Sequence, residues 1–119
     1  MLRGERQEAP DTGGVAVEEP LWRCAACGHG VARHRIPLDG AETRAFVNPA
    51  GIEYVLGGFR DAPGCALVGE QSSYWGWFPG FVWQIAVCGA CGVHLGWSFT
   101  AATERFYGLI LDRLIAPSA

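Results

Sequence analysis

Five cysteines and five tryptophans carry most of the chemistry open to this 119-residue chain. Two short stretches match each other: C-A-A-C-G, with Cys24, Cys27 and Gly28, and C-G-A-C-G, with Cys88, Cys91 and Gly92. A C-x-x-C pair sets two thiolates on one tight turn, and a tetrahedral zinc ion takes four such soft ligands. The glycine after each second cysteine lets the backbone turn with positive φ and aim N–H groups at a thiolate. The pairs lie about 60 residues apart, so an ion held by both closes a long loop, where closure gains most. A four-cysteine site leaves no coordination position for water, so Cys24, Cys27, Cys88 and Cys91 read as a structural zinc site. Two rivals stand beside that reading, four free core cysteines and a redox C-x-x-C. Matched copies and the lack of a βαβ pattern count against both. Cys65, in PGCALVG, is left over. It reads as a small buried hydrophobe. Its rival role is a reactive thiol, with no histidine or basic residue near it in sequence to lower its pKa.

The stretch SSYWGWFPGFVW, residues 72–83, holds Trp75, Trp77 and Trp83, and Trp97 follows in a later apolar run. If residues 74–78 are extended, Trp75 and Trp77 share a face. Phe81, Trp83, Ile85 and Val87 share a face of the next strand, and Trp97 and Phe99 share one after the second cysteine pair. That pair joins the two strands, which holds Trp83 near Trp97. Composition leaves open whether these rings fill a core or wall a pocket. A buried indole N–H needs a partner, and Gly76 and Gly80 let a ligand approach the backbone. A pocket of this kind takes a methylated ammonium by cation–π attraction. Equally, it takes a small ring, with apolar contact on the faces and backbone groups at the polar edge. The run Y-W-G-W-F breaks at Pro79, so its backbone edge is expected to stay unpaired, offering N–H and C=O side by side. A cyclic imide matches such an edge.

The elements that must position these residues are short. Apolar runs at 31–36, 45–48, 52–59, 66–69, 81–88, 95–100 and 106–111 are rich in Val, Ile and aromatics and read as strands. Turn signals at 48–51, 57–58, 63–64 and 79–80 separate them. The pattern predicts an all-β sandwich or half-open barrel. Residues 106–115 read as a strand that ends in a helical turn. Residues 1–19 read as a solvated tail, and 20–116 as one domain. His94 is three residues before Trp97, and as a strand neighbour it is expected to point away from the cage, with support of the pocket as its other role. His29 and His34 are expected to be exposed.

Charge excludes some partners. Net charge is −3 and charged residues make up 18%, with no basic face for a nucleic acid. No apolar run reaches the ~20 residues of a membrane span. No secretory signal opens the sequence, and a cytoplasmic location follows as the expectation. No catalytic triad, phosphate loop or carboxylate pair stands out, so the chain reads as a binder and not an enzyme.

Taken together, C-A-A-C-G, V-N-P-A-G, W-F-P-G-F-V-W and C-G-A-C-G-V-H-L-G-W-S-F, in that order, resemble the CULT family, the thalidomide-binding domain of cereblon. The likeness runs from about Trp22 to Ile115, and the chain's length resembles that of single-domain bacterial members. The resemblance implies two antiparallel sheets meeting at a steep angle, a β-tent, pinned by one structural zinc on the four cysteines. It implies a cage of Trp77, Trp83 and Trp97 with Phe99 beside them, and Asn48 and Pro49 in the loop that closes over it. The ligand implied is a glutarimide, a thalidomide-type drug, a hydantoin or a uridine-like ring. In cereblon the corresponding ligand is a C-terminal cyclic imide on damaged proteins, so the implied partner is a small-molecule cyclic imide or a modified protein C-terminus. The imide edge pairs with the C=O of Trp75 and the N–H of Trp77. Where the human member of the family has a histidine that helps hold the ligand, this chain has Trp75. Two alternatives remain from other classes. One is a protein-interaction module reading methylated ammonium or modified C-termini. The other is a thiol enzyme of the methionine sulfoxide reductase type, a fold this one resembles, with Cys65 as nucleophile.

Overall fold

A computed structural model describes residues 19–118. The tail expected at 1–19 lies, apart from Glu19, outside the described residues. Nine strands follow in order: β1 (Trp22–Cys24), β2 (Gly30–Ile36), β3 (Thr43–Val47), β4 (Glu53–Asp61), β5 (Cys65–Ser72), β6 (Val82–Cys88), β7 (His94–Thr100), β8 (Arg105–Ile110) and β9 (Leu114–Ile115). A 3-10 turn, Leu111–Arg113, separates β8 from β9, as the sequence of 106–115 predicts.

The fold is all-β, and its pairings are antiparallel. Neighbouring strands run β5-β6-β7-β8-β4-β2-β1-β9, with β3 added on β4. Strand β2 serves two ladders. Its first residues pair β1 (Trp22↔Ala32, Arg23↔Gly30) and its later ones pair β4 (Arg33↔Asp61, Arg35↔Phe59, Ile36↔Gly58). The short strands β1 and β9, absent from the sequence reading, meet through Arg23↔Ile115 and Cys24↔Leu114. Two or three residues show no periodicity of their own, so only this long-range pairing defines them.

The core divides into two clusters. One gathers Cys24, Val31, Phe59, Ala86, Cys88, Leu95 and Leu109, with Trp22 and Cys65 packed against it. The other gathers Leu38, Phe46, Leu56, Phe78, Trp97, Phe99, Phe106 and Ile110, with Trp77, Trp83 and Ile85 packed on it. The first backs the cysteines and the second backs Trp77, Trp83 and Trp97. Its aromatic rings meet mainly edge to face: Phe78–Phe99 at 4.8 Å, Phe78–Phe106 at 5.0 Å and Phe81–Phe106 at 5.3 Å. That geometry suits the charge distribution of the rings.

Candidate functional site

The cysteine pairs sit in the turns after β1 and after β6. The two turns are built alike. The N–H of Gly28 donates to the Cys24 carbonyl at 2.7 Å, and that of Gly92 donates to the Cys88 carbonyl at 2.9 Å. Gly28 and Gly92 both have φ of 81°, a conformation a β-carbon disfavours. The Cys24 N–H donates to His29 and the Cys88 N–H to Val93, closing each loop. The turn between β4 and β5 ties the two together, since Gly64 donates to Val31 and accepts from Gly89.

All four sulfurs lie within 4.8 Å of one another. Cys24 Sγ is 3.8 Å from Cys91 Sγ, and Cys27 Sγ is 3.6 Å from Cys88 Sγ. A tetrahedron with Zn–S bonds of ~2.3 Å has sulfur–sulfur edges of ~3.8 Å. The donor set and its spacing therefore fit a four-coordinate ion. The thiols alone share protons unevenly. Burial opposes ionisation of Cys88, yet the backbone N–H groups of Cys91 and Ala90, with the neighbouring thiols, bring its pKa down to about 7. At Cys27 a backbone hydrogen bond at His29 favours the thiolate, but burial and the thiols of Cys88, Cys91 and Cys24 push its pKa up to about 12. A central cation is what would let four thiolates coexist.

Cys65 lies opposite Cys88 across β5 and β6. Burial, followed by negative charge at Cys88 and Cys24, pushes its thiol up to about 12. A thiol so protonated is a poor nucleophile at neutral pH.

The tryptophans enclose a cavity of ≈ 270 Å³. Asn48, Pro49, Trp75, Trp77, Trp83, Trp97 and Phe99, the residues singled out from sequence, all line it. Tyr54, Tyr74, Ile85 and His94 line it as well. Strand register places the floor: Trp83 pairs with Phe99 and Ile85 with Trp97 across β6 and β7. Trp97 is 8% exposed and meets Trp77 edge-on at 4.9 Å, Tyr54 at 5.2 Å and His94 at 4.8 Å. It is both core and wall. Trp77 also stacks on Phe46 at 5.0 Å.

Two expectations need correction. Residues 74–78 form no strand, and Trp75 has φ of 53°, so period-two alternation does not place Trp75 and Trp77. They converge through their indoles instead. Both N–H groups donate to the Val47 carbonyl, at 2.9 Å from Trp75 and 3.0 Å from Trp77. The Trp83 indole donates to the Tyr74 carbonyl at 2.7 Å. The second correction concerns His94, which faces the cavity. Val87 pairs with His94 and Ala86 with Gly96, so Leu95 is an extra residue in β7. Such a bulge breaks the alternation. It sends Leu95 to the first core cluster while His94 joins the face of Trp97. Gly96 was the available signal: a β-carbon there would lie 2.2 Å from the Gly108 carbonyl oxygen.

Polar groups at the cavity are few and uncharged. The His94 ring bonds the Gly96 carbonyl at 3.0 Å, and its own carbonyl accepts from Arg113 at 2.8 Å. Burial pushes the His94 pKa down, the Gly96 carbonyl opposes this, and the Arg113 charge adds to it. His94 is therefore neutral at pH 7. In the Asn48–Gly51 turn the Asn48 side-chain oxygen accepts from Ala50 at 3.0 Å and from Ile52 at 2.9 Å. This fixes Asn48 at the rim. Among the described residues, neither the Trp75 C=O nor the Trp77 N–H has a hydrogen-bond partner.

Such a molecule is an antiparallel β domain with a four-cysteine cluster behind one core and an uncharged aromatic cavity over the other. No protein-family profile matches the chain. Curated proteins do. It is 43% identical to protein cereblon of Xenopus tropicalis over 113 residues, 91% of this chain and 22% of that protein. It is 37% identical to protein cereblon of Danio rerio over 76 residues, 60% of this chain and 18% of that protein. Protein cereblon of Drosophila pseudoobscura pseudoobscura is 32% identical over 108 residues, 82% of this chain and 17% of that protein. Over most of its length the chain is similar to one segment of the cereblon proteins. It spans about a fifth of the length of the curated relatives it matches.

Proposed function

We propose that this domain is a small-ligand binding module that holds a cyclic imide, free or on a modified protein C-terminus, between Trp77, Trp83 and Trp97. The observation that carries the reading is the unpaired Trp75 C=O and Trp77 N–H at an aromatic cavity without charged lining. A donor and an acceptor two residues apart, with no partner among the described residues, suit a ligand that pairs both. An imide presents N–H and C=O on one edge. The cavity's ≈ 270 Å³ equals about nine waters at ~30 Å³ each, the scale of one small ring. A methylated ammonium is the weaker reading, because no carboxylate lines the cavity and the cation has no use for the free backbone pair.

The four cysteines hold one zinc ion as a structural clasp in this reading, and Asn48 and Pro49 close the rim. In this reading the module binds and does not catalyse, since Cys65 is held protonated and does not line the cavity. Four thiolates as ligands suit a reducing compartment, which favours the cytoplasm. A tryptophan-fluorescence titration with glutarimide and with N-methylglutarimide tests the proposal. The parent is expected to bind and the methylated form, which buries nearly the same apolar area, is not. Equal binding of both would remove the backbone reading.

A further inference from the structure

Apart from the tight turn at Tyr74–Trp75, residues 73–77 make no backbone-to-backbone hydrogen bond among the described residues. Their path rests largely on side chains. Ser72 Oγ accepts from the Tyr74 N–H at 3.0 Å, the Trp83 indole holds the Tyr74 carbonyl, and the Trp75 and Trp77 indoles hold the loop to Val47. Within this path Trp75 adopts φ of 53°, in the left-handed region that bulky residues avoid. A conformation of this kind persists only where its surroundings impose it.

The anchor is the free edge of β3. The Asn48 N–H donates to the Ile52 carbonyl and the Ile52 N–H to the Asn48 side-chain oxygen, so residues 48 and 52 close the hairpin at a hydrogen-bonded position. The next pair, Val47↔Glu53, is then of the non-hydrogen-bonded kind. The Val47 carbonyl points off the edge of β3 that no strand covers among the described residues. Its two lone pairs accept both indoles. Trp75 is 52% exposed, so this hydrogen bond, and not deep burial, fixes its side chain.

We propose that Trp75 is a positioning residue: its indole, latched to Val47, holds the left-handed backbone that sets the direction of the Trp75 carbonyl. This rests on the reading of that carbonyl as the acceptor for an imide N–H. It also assigns the residue that replaces the family histidine. With its one donor spent on Val47, the Trp75 side chain acts through the backbone and gives the ligand no hydrogen bond.

The test compares the zinc-loaded wild-type domain with Trp75→Phe, which keeps an aromatic ring and loses the N–H. Amide NMR of the ligand-free proteins reports the Gly76 N–H, which shares a peptide plane with the Trp75 carbonyl. The latch predicts that Trp75→Phe shifts or broadens the Gly76 and Trp77 amide signals, while the strand signals and the melting temperature stay in place. It also predicts glutarimide binding about two- to tenfold weaker, the effect of one hydrogen bond. Unchanged Gly76 and Trp77 signals overturn the proposal, and so does unchanged affinity. If wild-type protein fails to bind glutarimide, the functional reading falls and the Gly76 signal alone decides the latch.

Discussion

Trp97 offers the sharpest test of a wall that is also core. Removing its ring with Trp97→Ala opens the floor of the cavity and strips the edge-on partners of Trp77, Tyr54 and His94, whose centroids lie 4.9, 5.2 and 4.8 Å away. Truncation of a buried tryptophan costs about 3–5 kcal/mol, because the site collapses only in part. A domain of this size is stable by about 5–15 kcal/mol in total. A loss of ~3 kcal/mol would lower Tm by at least ~12 °C. Urea unfolding of zinc-saturated wild-type and Trp97→Ala protein measures the difference directly. A loss below about 1 kcal/mol with an unchanged m-value would refute the reasoning, since the ring would then belong to a pocket wall alone. Trp83 is only partly buried, so Trp83→Ala is the substitution that separates binding from stability.

Three further outcomes follow. Cys91→Ser is expected to release zinc and unfold the domain, and a folded, metal-free variant by circular dichroism and metal analysis would contradict the clasp. Because the folded protein holds the His94 pKa below its ordinary value, the unfolded chain takes the proton first as pH falls. The His94 contribution is therefore complete above about pH 6.5 and is lost below it. Urea midpoints at acid and neutral pH should differ less in His94→Asn than in wild type, and an equal difference would contradict this. Cys65→Ser should leave glutarimide affinity within about twofold, and loss of binding on calorimetry would give that thiol a role it lacks here.

What the sequence made legible was chemistry carried by local spacing. The cysteine turns need only a C-x-x-C-G repeat, and Trp83, Trp97 and Phe99 follow from two strands joined by the second of them. What stayed hidden depends on partners far along the chain. Strands β1 and β9 exist because Arg23 and Cys24 meet Ile115 and Leu114. Trp75 was expected on an extended strand, but a carbonyl 28 residues away claims its indole and the backbone turns left-handed. His94 was expected to face away until one bulged residue reversed the alternation. Tyr54 carries no motif at all, and reaches the cavity because β4 runs beside β8 and β8 beside β7.

The central claim is that an imide edge pairs with the backbone between Trp75 and Trp77. The most direct measurement is the Trp77 amide proton by NMR during a glutarimide titration. The account predicts a downfield shift and slowed solvent exchange at Trp77 that saturate with the fluorescence signal. Saturable glutarimide binding that leaves the Trp77 amide unmoved, or no binding at all, would contradict it.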